Sequence, residues 1–362
     1  MQLSELSLRP FRNFEKQNLS FSSHRSLIYA ENGKGKSNIL EAISFLSIGK
    51  SIRGARDSQA IPHAGSFFDI RGVFIRNGSK KSIRVFYEKM GGKKVFIEEE
   101  PLSKVSDLVG EFRSVHFSPE DVSLVLRFPT KRRRLLDILI SQARPAYLKE
   151  LQKYRRVLSQ RNKMLRDSKK VFISSQFSHE IAPWDEQIAE FGALIRLGRL
   201  SAVESMQADF VEFYNRFSPD SESAGLKYNG PMTKDIDSLT NELLEQIVQN
   251  RKKELNIGYT IAGPHKDNVS FEINGKIADD FASEGQLKTA LIAWKLAESR
   301  FIEKQCQQQP VLLLDDLFSE LDTKRINLLL ETITEFDQVI ITTPRELGLE
   351  RLNSFEKICF AQ

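Results

Sequence analysis

A chain of 362 residues, 40% of them hydrophobic, is too long for one small core and too apolar to be disordered, so two or more lobes are expected. Its two cysteines, Cys306 and Cys359, make no disulfide framework and fit a reducing cytoplasm, and no apolar run is long enough to cross a bilayer. The net charge of +5 is mild but unevenly spread: from Lys131 to Lys170 fourteen Lys and Arg stand against three Asp and Glu, a block that suits a polyanion such as a nucleic-acid backbone and equally suits a solvated helix face paired with carboxylates elsewhere.

Met1-Gln2-Leu3-Ser4-Glu5-Leu6 alternates apolar and polar residues, which predicts a half-buried strand and lacks the pattern of a secretory signal. Leu27-Ile28-Tyr29 then runs as a strand into Ala30-Glu31-Asn32-Gly33-Lys34-Gly35-Lys36-Ser37, and Asn38-Ile39-Leu40-Glu41-Ala42-Ile43 reads as a helix. Strand, glycine loop and helix are the setting of a phosphate-binding loop, in which helix-start N–H groups surround the phosphates. Lys36 would reach the outer phosphates, the Ser37 hydroxyl would ligate Mg²⁺, and residues Ala30 to Asn38 would form the cradle. Ala30 stands where the pattern has its first glycine, which is tolerable if the backbone there is extended. Taken alone, a Gly-Lys-Ser cluster is also an ordinary turn.

Three period-two segments follow, 68–75, 82–87 and 94–97, with Asn77-Gly78 and Gly91-Gly92 as hairpin turns. Residues to about 125 therefore read as strands interrupted by one helix. Beyond 130 the period becomes helical. Leu148, Leu151, Leu158 and Leu165 predict a long helix from near Pro145. Trp184, Ile188, Phe191 and Ile195, and then Val203, Met206, Phe210, Phe213 and Phe217, are core seams of helices. Ser218-Pro219-Asp220-Ser221 and Gly225 to Pro231 look like loops, and Asp235 to Lys253 returns to helix. After Gly258, Val269 to Ile273 is a strand, Asn274-Gly275 a turn and Leu287 to Gln305 a long helix ended by Pro310. The expected organisation is a strand-rich part over 1–125, an inserted helical arm over 126–257 and a closing part over 258–362.

Val311-Leu312-Leu313-Leu314 is apolar on both faces, as a central strand covered by helices must be, and ends in Asp315-Asp316. Such acids complement a phosphate loop. Asp315 would hold Mg²⁺, and Asp316 would orient or deprotonate an attacking water. In Ser319-Glu320-Leu321-Asp322, Asp322 is a helix N-cap before Thr323, a nucleotide neighbour at a dimer seam, or both. Ser283-Glu284-Gly285-Gln286 precedes a helix and either caps it or offers a hydroxyl and N–H groups to an anion. Arg12 contacts phosphate or pairs on the surface, and His265 and Lys266 either face the nucleotide side of the head or, as is commoner after Gly-Pro, are turn residues.

The order phosphate loop, insert, Ser-x-Gly-Gln, aliphatic strand with Asp-Asp and Ser-x-Leu-Asp resembles the ATP-binding-cassette heads of SMC-like proteins. It is most similar to the RecF family, through Leu6-Ser7-Leu8-Arg9-Pro10-Phe11-Arg12-Asn13-Phe14, Gly49-Lys50-Ser51-Ile52-Arg53, Phe117-Ser118-Pro119-Glu120-Asp121, Arg132-Arg133-Arg134-Leu135-Leu136-Asp137 and Gly263-Pro264-His265-Lys266-Asp267. The resemblance implies an α/β P-loop ABC-type ATPase head with an inserted α-helical arm, binding ATP and Mg²⁺. It implies Lys36 and Asp316 in catalysis, Ser37 and Asp315 on the metal, and Arg12 at the nucleotide. It also implies an ATP-dependent homodimer in which Ser283, Gly285, Gln286 and Asp322 close over nucleotide held by the other copy.

Family function implies binding of single-stranded, gapped or junction DNA and help in loading the RecA recombinase, with RecR and RecO as partners, in the nucleoid-containing cytoplasm. Asp316 replaces the glutamate of transporter cassettes, Thr342-Thr343 occupies the place of their switch histidine, and no Q-loop glutamine stands near His116 to Pro119. These departures imply slow hydrolysis, and with the family resemblance they imply a slow DNA-stimulated ATPase used as a dimerisation switch. The alternatives are a P-loop phosphotransferase and a structural DNA tether that does not hydrolyse ATP.

Overall fold

The computed structural model describes residues 1–63, 65–118, 128–168, 175–218, 222–344 and 350–359. The chain divides into two compact units. One comprises Met1–Leu126, Asp209–Ala224 and Ser283–Gln362; the other comprises Arg127–Ala208 and Gly225–Ala282.

Two sheets build the first unit. The antiparallel sheet contains β1 (Gln2–Leu8), β2 (Gln17–Ser20), β4 (Phe67–Arg76), β5 (Ser79–Glu88), β6 (Gly92–Ile97) and β7 (Glu100–Pro101), in the order β2-β1-β4-β5-β6-β7. Asn77 and Gly78, both at positive φ, make the two-residue turn that sets the β4–β5 register, as the sequence predicts. Alternation along these strands, shifted once in β1 by an irregularity between Leu3 and Glu5, turns Leu3, Leu6, Phe68, Ile70, Ile83 and Val85 into one core with Ile39, Leu40, Ile43 and Phe45 of α1 (Lys36–Ile48). Phe45 meets Phe11 and Phe68 edge to face, at 5.8 and 5.3 Å between centroids.

The second sheet is parallel. It holds β3 (Arg25–Tyr29), β8 (Ser114–Phe117), β12 (Val311–Asp315), β13 (Gln338–Thr343) and β14 (Glu356–Cys359), in the order β14-β3-β13-β12-β8. Every residue of β12 and β13 is buried, which accounts for the unbroken apolar run at 311–314. The helices α1 and α7 (Glu284–Cys306) both pack against this sheet.

The second unit contains α2 (Pro129–Ala143), α3 (Pro145–Asp167), most of α4 (Ser175–Phe217) and α5 (Ile236–Ile257). A small sheet of β9 (Ala224–Asn229), β10 (Asn268–Ile273) and β11 (Lys276–Ile277) and the short α6 (Ala278–Phe281) complete it. Both predicted seams between Trp184 and Phe217 lie on α4, a single helix of 43 residues. Buried ion pairs cross the interior. Arg161 meets Asp185 and Glu254, each at 2.6 Å, Arg196 meets Asp267 at 3.1 Å and Arg199 meets Asp137 at 2.9 Å. No described helix is long and apolar enough to cross a membrane.

Two expectations need correction. Residues 225–229 of the supposed 225–231 loop belong to β9, whose inward side carries only Leu226 and Tyr228, too few residues to announce a period. Residues 258–282 group with the inserted unit and 209–224 with the first, so the breaks differ from 125/126 and 257/258. The cause is pairing: β10 bonds to β9, and Asp267 accepts from Arg196 and Tyr228. Of the predicted 218–221 loop, residues 219–221 lie outside the described residues.

Candidate nucleotide-binding site

The phosphate loop joins β3 to α1. Gly33 and Gly35 take φ of 83° and 99°, and a Cβ on Gly35 would fall 2.5 Å from Asn13 Oδ1 and 2.8 Å from the Phe14 ring. Glycine is thus required at Gly35 by conformation and by space. It is also the N-cap of α1 and provides no side-chain cap, so the helix start offers its N–H groups to an anion. Ala30 is not among the residues with positive φ, which is why alanine fits. Its carbonyl accepts from Lys36 Nζ at 2.6 Å, and Glu31 O and Asn32 Oδ1 lie 3.0 and 3.4 Å from the same ammonium. Burial lowers the Lys36 pKa, and Asp316 and Asp315 oppose that shift. The three acceptors are uncharged, so a phosphate oxygen competes well for this ammonium.

Parallel register sets the acids. Asp315 lies opposite Thr342, and Thr342 opposite Ile28, so the carboxyl ends of β12, β13 and β3 stand side by side, where ligands of open α/β sheets bind. Ser37 Oγ donates to Asp315 Oδ1 at 2.8 Å, Thr342 Oγ1 to the same oxygen at 2.7 Å and Arg53 Nη2 to Oδ2 at 3.1 Å. Ser37 and Asp315, predicted as metal ligands, are thus in direct contact. Two hard oxygen donors suit a Mg²⁺ that takes its other ligands from phosphate and water. Asp316 follows at φ 44°, a conformation few non-glycine residues adopt, with its N–H donating to the Thr342 carbonyl at 3.1 Å.

Arg12 departs from the phosphate reading. Its Nε and Nη2 donate to the two carboxylate oxygens of Glu41 at 2.9 and 2.6 Å, and Nη1 donates to the Gln59 carbonyl at 2.7 Å. Glu41 is fully buried in α1 and also accepts from Ser51 Oγ at 2.5 Å. A carboxylate sealed in a core needs such partners, so Arg12 braces α1 instead of reaching the anion site. Its neighbour Asn13 touches the loop itself: Nδ2 donates to Lys34 O at 3.0 Å, and Oδ1 accepts from Asn38 Nδ2 at 2.8 Å. Asn13, Arg53 and Thr342 are site residues to which sequence reasoning gave no role, although all three lie in motifs it had noticed.

Ser283, Gly285, Gln286 and Asp322 form a second cluster. Ser283 and Gln286 make a reciprocal capping box at the start of α7, with bonds of 3.3 and 2.8 Å. Gln286 Nε2 donates to Glu222 Oε1 at 2.7 Å, and Glu222 also accepts from Tyr214 and Ser218. Burial pushes the Glu222 pKa up, but these bonds prevail and hold it below the usual value. Asp322 caps α8 (Thr323–Thr332) by accepting from Arg325 N at 2.9 Å, and the Arg325 guanidinium lies 3.6–3.8 Å from where a Cβ on Gly285 would be. The hydrogen bonds of these residues stay within the cluster, and none reaches residues 30–38.

The RecF/RecN/SMC N terminal domain family matches residues 2–362. The chain is 34% identical over 353 residues to the DNA replication and repair protein RecF of Acetivibrio thermocellus, covering 96% of this chain and 94% of that one. The chain belongs to the RecF family. RecF of Chloroherpeton thalassium is 36% identical over 353 residues, covering 95% of each chain. A solved structure of the recombination mediator protein RecF with ATP, from the RecFOR pathway, superposes with a TM-score of 0.89 at 31% identity, over 96% of this chain and 93% of that one. An Smc head from Pyrococcus furiosus shares the fold alone, with a TM-score of 0.53 at 19% identity, over 95% of this chain and 90% of that one. The RecF fold is thus a P-loop ABC-type ATPase head with an inserted helical arm.

Proposed function

We propose that this chain is an ATP-dependent DNA-binding protein of recombinational repair and replication restart. It dimerises on ATP, binds single-stranded, gapped or junction DNA, and with RecR- and RecO-type partners helps load RecA. The observation that carries the nucleotide part is the 2.8 Å bond from Ser37 to Asp315, which unites the helix start behind the phosphate loop with the acidic end of β12. The similarity to a RecF solved with ATP supports the same reading.

In this mechanism the start of α1 and Lys36 bind the phosphates, and the ammonium exchanges its carbonyl partners for phosphate oxygens. Ser37 and Asp315 would hold a Mg²⁺, which would supply positive charge to offset that of the phosphates. Thr342 and Arg53 keep Asp315 in place. Asp316, fixed by its N–H bond to Thr342, orients the attacking water. The helix start at Ser283 closes the site from a second copy, and slow hydrolysis releases the dimer.

Analytical ultracentrifugation with and without ATP tests this. The wild type forms an ATP-dependent dimer. Lys36→Ala loses ATP affinity by on the order of 10–100-fold, the worth of one charge-assisted bond, and stays monomeric. Ser283→Arg keeps monomer ATP binding and does not dimerise. Normal dimers of Ser283→Arg would sink the two-copy site. DNA-stimulated phosphate release separates the alternatives: a phosphotransferase ignores DNA, and a passive tether shows no turnover.

A further inference from the structure

Helix α3 sorts its cations by face. Tyr147, Leu151, Tyr154, Val157, Arg161 and Leu165 form its buried side, where Arg161 is wholly enclosed and held by Asp185, Glu254 and Thr260. On the opposite side Lys149, Lys153, Arg156 and Lys163 are exposed, interleaved with exposed Gln152 and Gln160. At about 100° per residue these six fall within roughly 60° of one line along the helix. Lys153 shares Glu150 at 3.1 Å and lies 5.2 Å from the centre of the Phe191 ring. Lys149, Arg156 and Lys163 have no acidic partner among the described residues. The two readings of the basic block at 131–170 therefore hold on different faces. Arg132, Arg155 and Arg161 pair with carboxylates; in the outer stripe only Lys153 does, with Glu150 on its own helix, among the described residues.

We infer that this outer face of α3 is a track for a nucleic-acid phosphate backbone, an assignment that rests on the DNA-binding reading above. From Lys149 to Lys163 the stripe runs about 21 Å, which matches about six 3.4 Å steps of a B-form strand. Lysine, arginine and glutamine are donors that hold phosphates without reading bases. The stripe has no aromatic or aliphatic anchor. Protein-binding surfaces concentrate such anchors and are poor in lysine, so phosphate fits this face better than a protein does. Asp167, at its C-terminal end, closes the stripe with the opposite charge. By contrast, the groove of about 720 Å³ on the antiparallel sheet has paired Arg84 with Asp69 and Arg71 with Glu99.

The test is titration of the full chain, with ATP and Mg²⁺, into a fluorescein-labelled gapped duplex at several salt concentrations. Combined Lys149→Ala, Arg156→Ala and Lys163→Ala should lower the slope of log K against log salt by about 2.7, the contribution of three phosphate contacts. Affinity near 0.1 M salt should fall on the order of 10²-fold. ATP affinity and melting temperature should match the wild type, which reports that the variant folds. A control with the same charge change at exposed Lys16, Lys80 and Lys104 should keep the wild-type slope. Wild-type protein that ignores the duplex defeats the DNA-binding reading itself. A wild type that binds, with a triple variant of unchanged slope, defeats this inference alone. Equal losses in control and triple variant also defeat it, because net charge and not the stripe then governs binding.

Discussion

Buried charge serves opposite ends around the phosphate loop and inside the inserted unit. Around the phosphate loop, Lys36 leans on backbone carbonyls and an amide, and Asp315 on two hydroxyls and one arginine; these partners can be exchanged for a phosphate or a metal. In the inserted unit, Arg161 is bound by two carboxylates and a hydroxyl, and Arg199 by Asp137 and the Pro264 carbonyl. There the charges cancel inside the protein. A buried ion thus marks a ligand site when neutral groups make up most of its partners, and a structural rivet when full counter-charges do.

Three changes probe this contrast. Arg161→Met should have the largest effect on stability, because it leaves Glu254 buried without its cation and Asp185 with Arg251 alone, a loss of about 3–5 kcal/mol. Thermal melting should show it while ATP affinity stays at the wild-type value; lost ATP affinity in a folded variant would break the contrast. Gly35→Ala should do the reverse. Its Cβ displaces Asn13 and its φ is strained, so stability falls by about 1–2 kcal/mol and ATP affinity by roughly tenfold, read by calorimetry.

The smallest effect concerns His265, whose Nδ1 lies 2.6 Å from Tyr154 OH and whose Nε2 lies 3.0 Å from the Thr260 carbonyl. Burial, opposed by the Thr260 bond, lowers its pKa from 6.5 to about 4. The folded chain therefore keeps this ring neutral where the unfolded chain protonates it. Stability from this group is complete above pH 6.5 and declines as pH falls toward 4, by about 1–2 kcal/mol between pH 6.5 and 5. The melting temperature of His265→Gln should be flatter across that window, and identical slopes would remove His265 as the cause.

The sequence showed most clearly what is local. The phosphate loop, the Asn77-Gly78 hairpin, α3 from Pro145 and the Asp322 cap each depend on a few adjacent residues. The apolar β12 was legible because burial on both faces leaves a continuous mark. What escaped depends on distant partners. Arg12 looked like a phosphate ligand because nothing nearby shows that Glu41 is sealed in the core. Arg53 reaches Asp315 across 262 positions, and Gln286 reaches Glu222 across 64. The strand β9 and the grouping of 258–282 were hidden for the same reason, since only the β9–β10 pairing reveals them.

The order of the parallel sheet has a consequence for synthesis. β3 and β8 appear early in the chain, yet their neighbours in the sheet are β13, β14 and β12, all made after residue 310. Ser37 waits 278 positions for Asp315, roughly 14–56 s at a ribosome speed of about 5–20 residues per second. Through that interval two apolar strands have no edge partner from their own sheet, the state most open to misassociation. On the proposed reading, a nucleotide that needs both Ser37 and Asp315 would stabilise only a chain whose synthesis has passed β12.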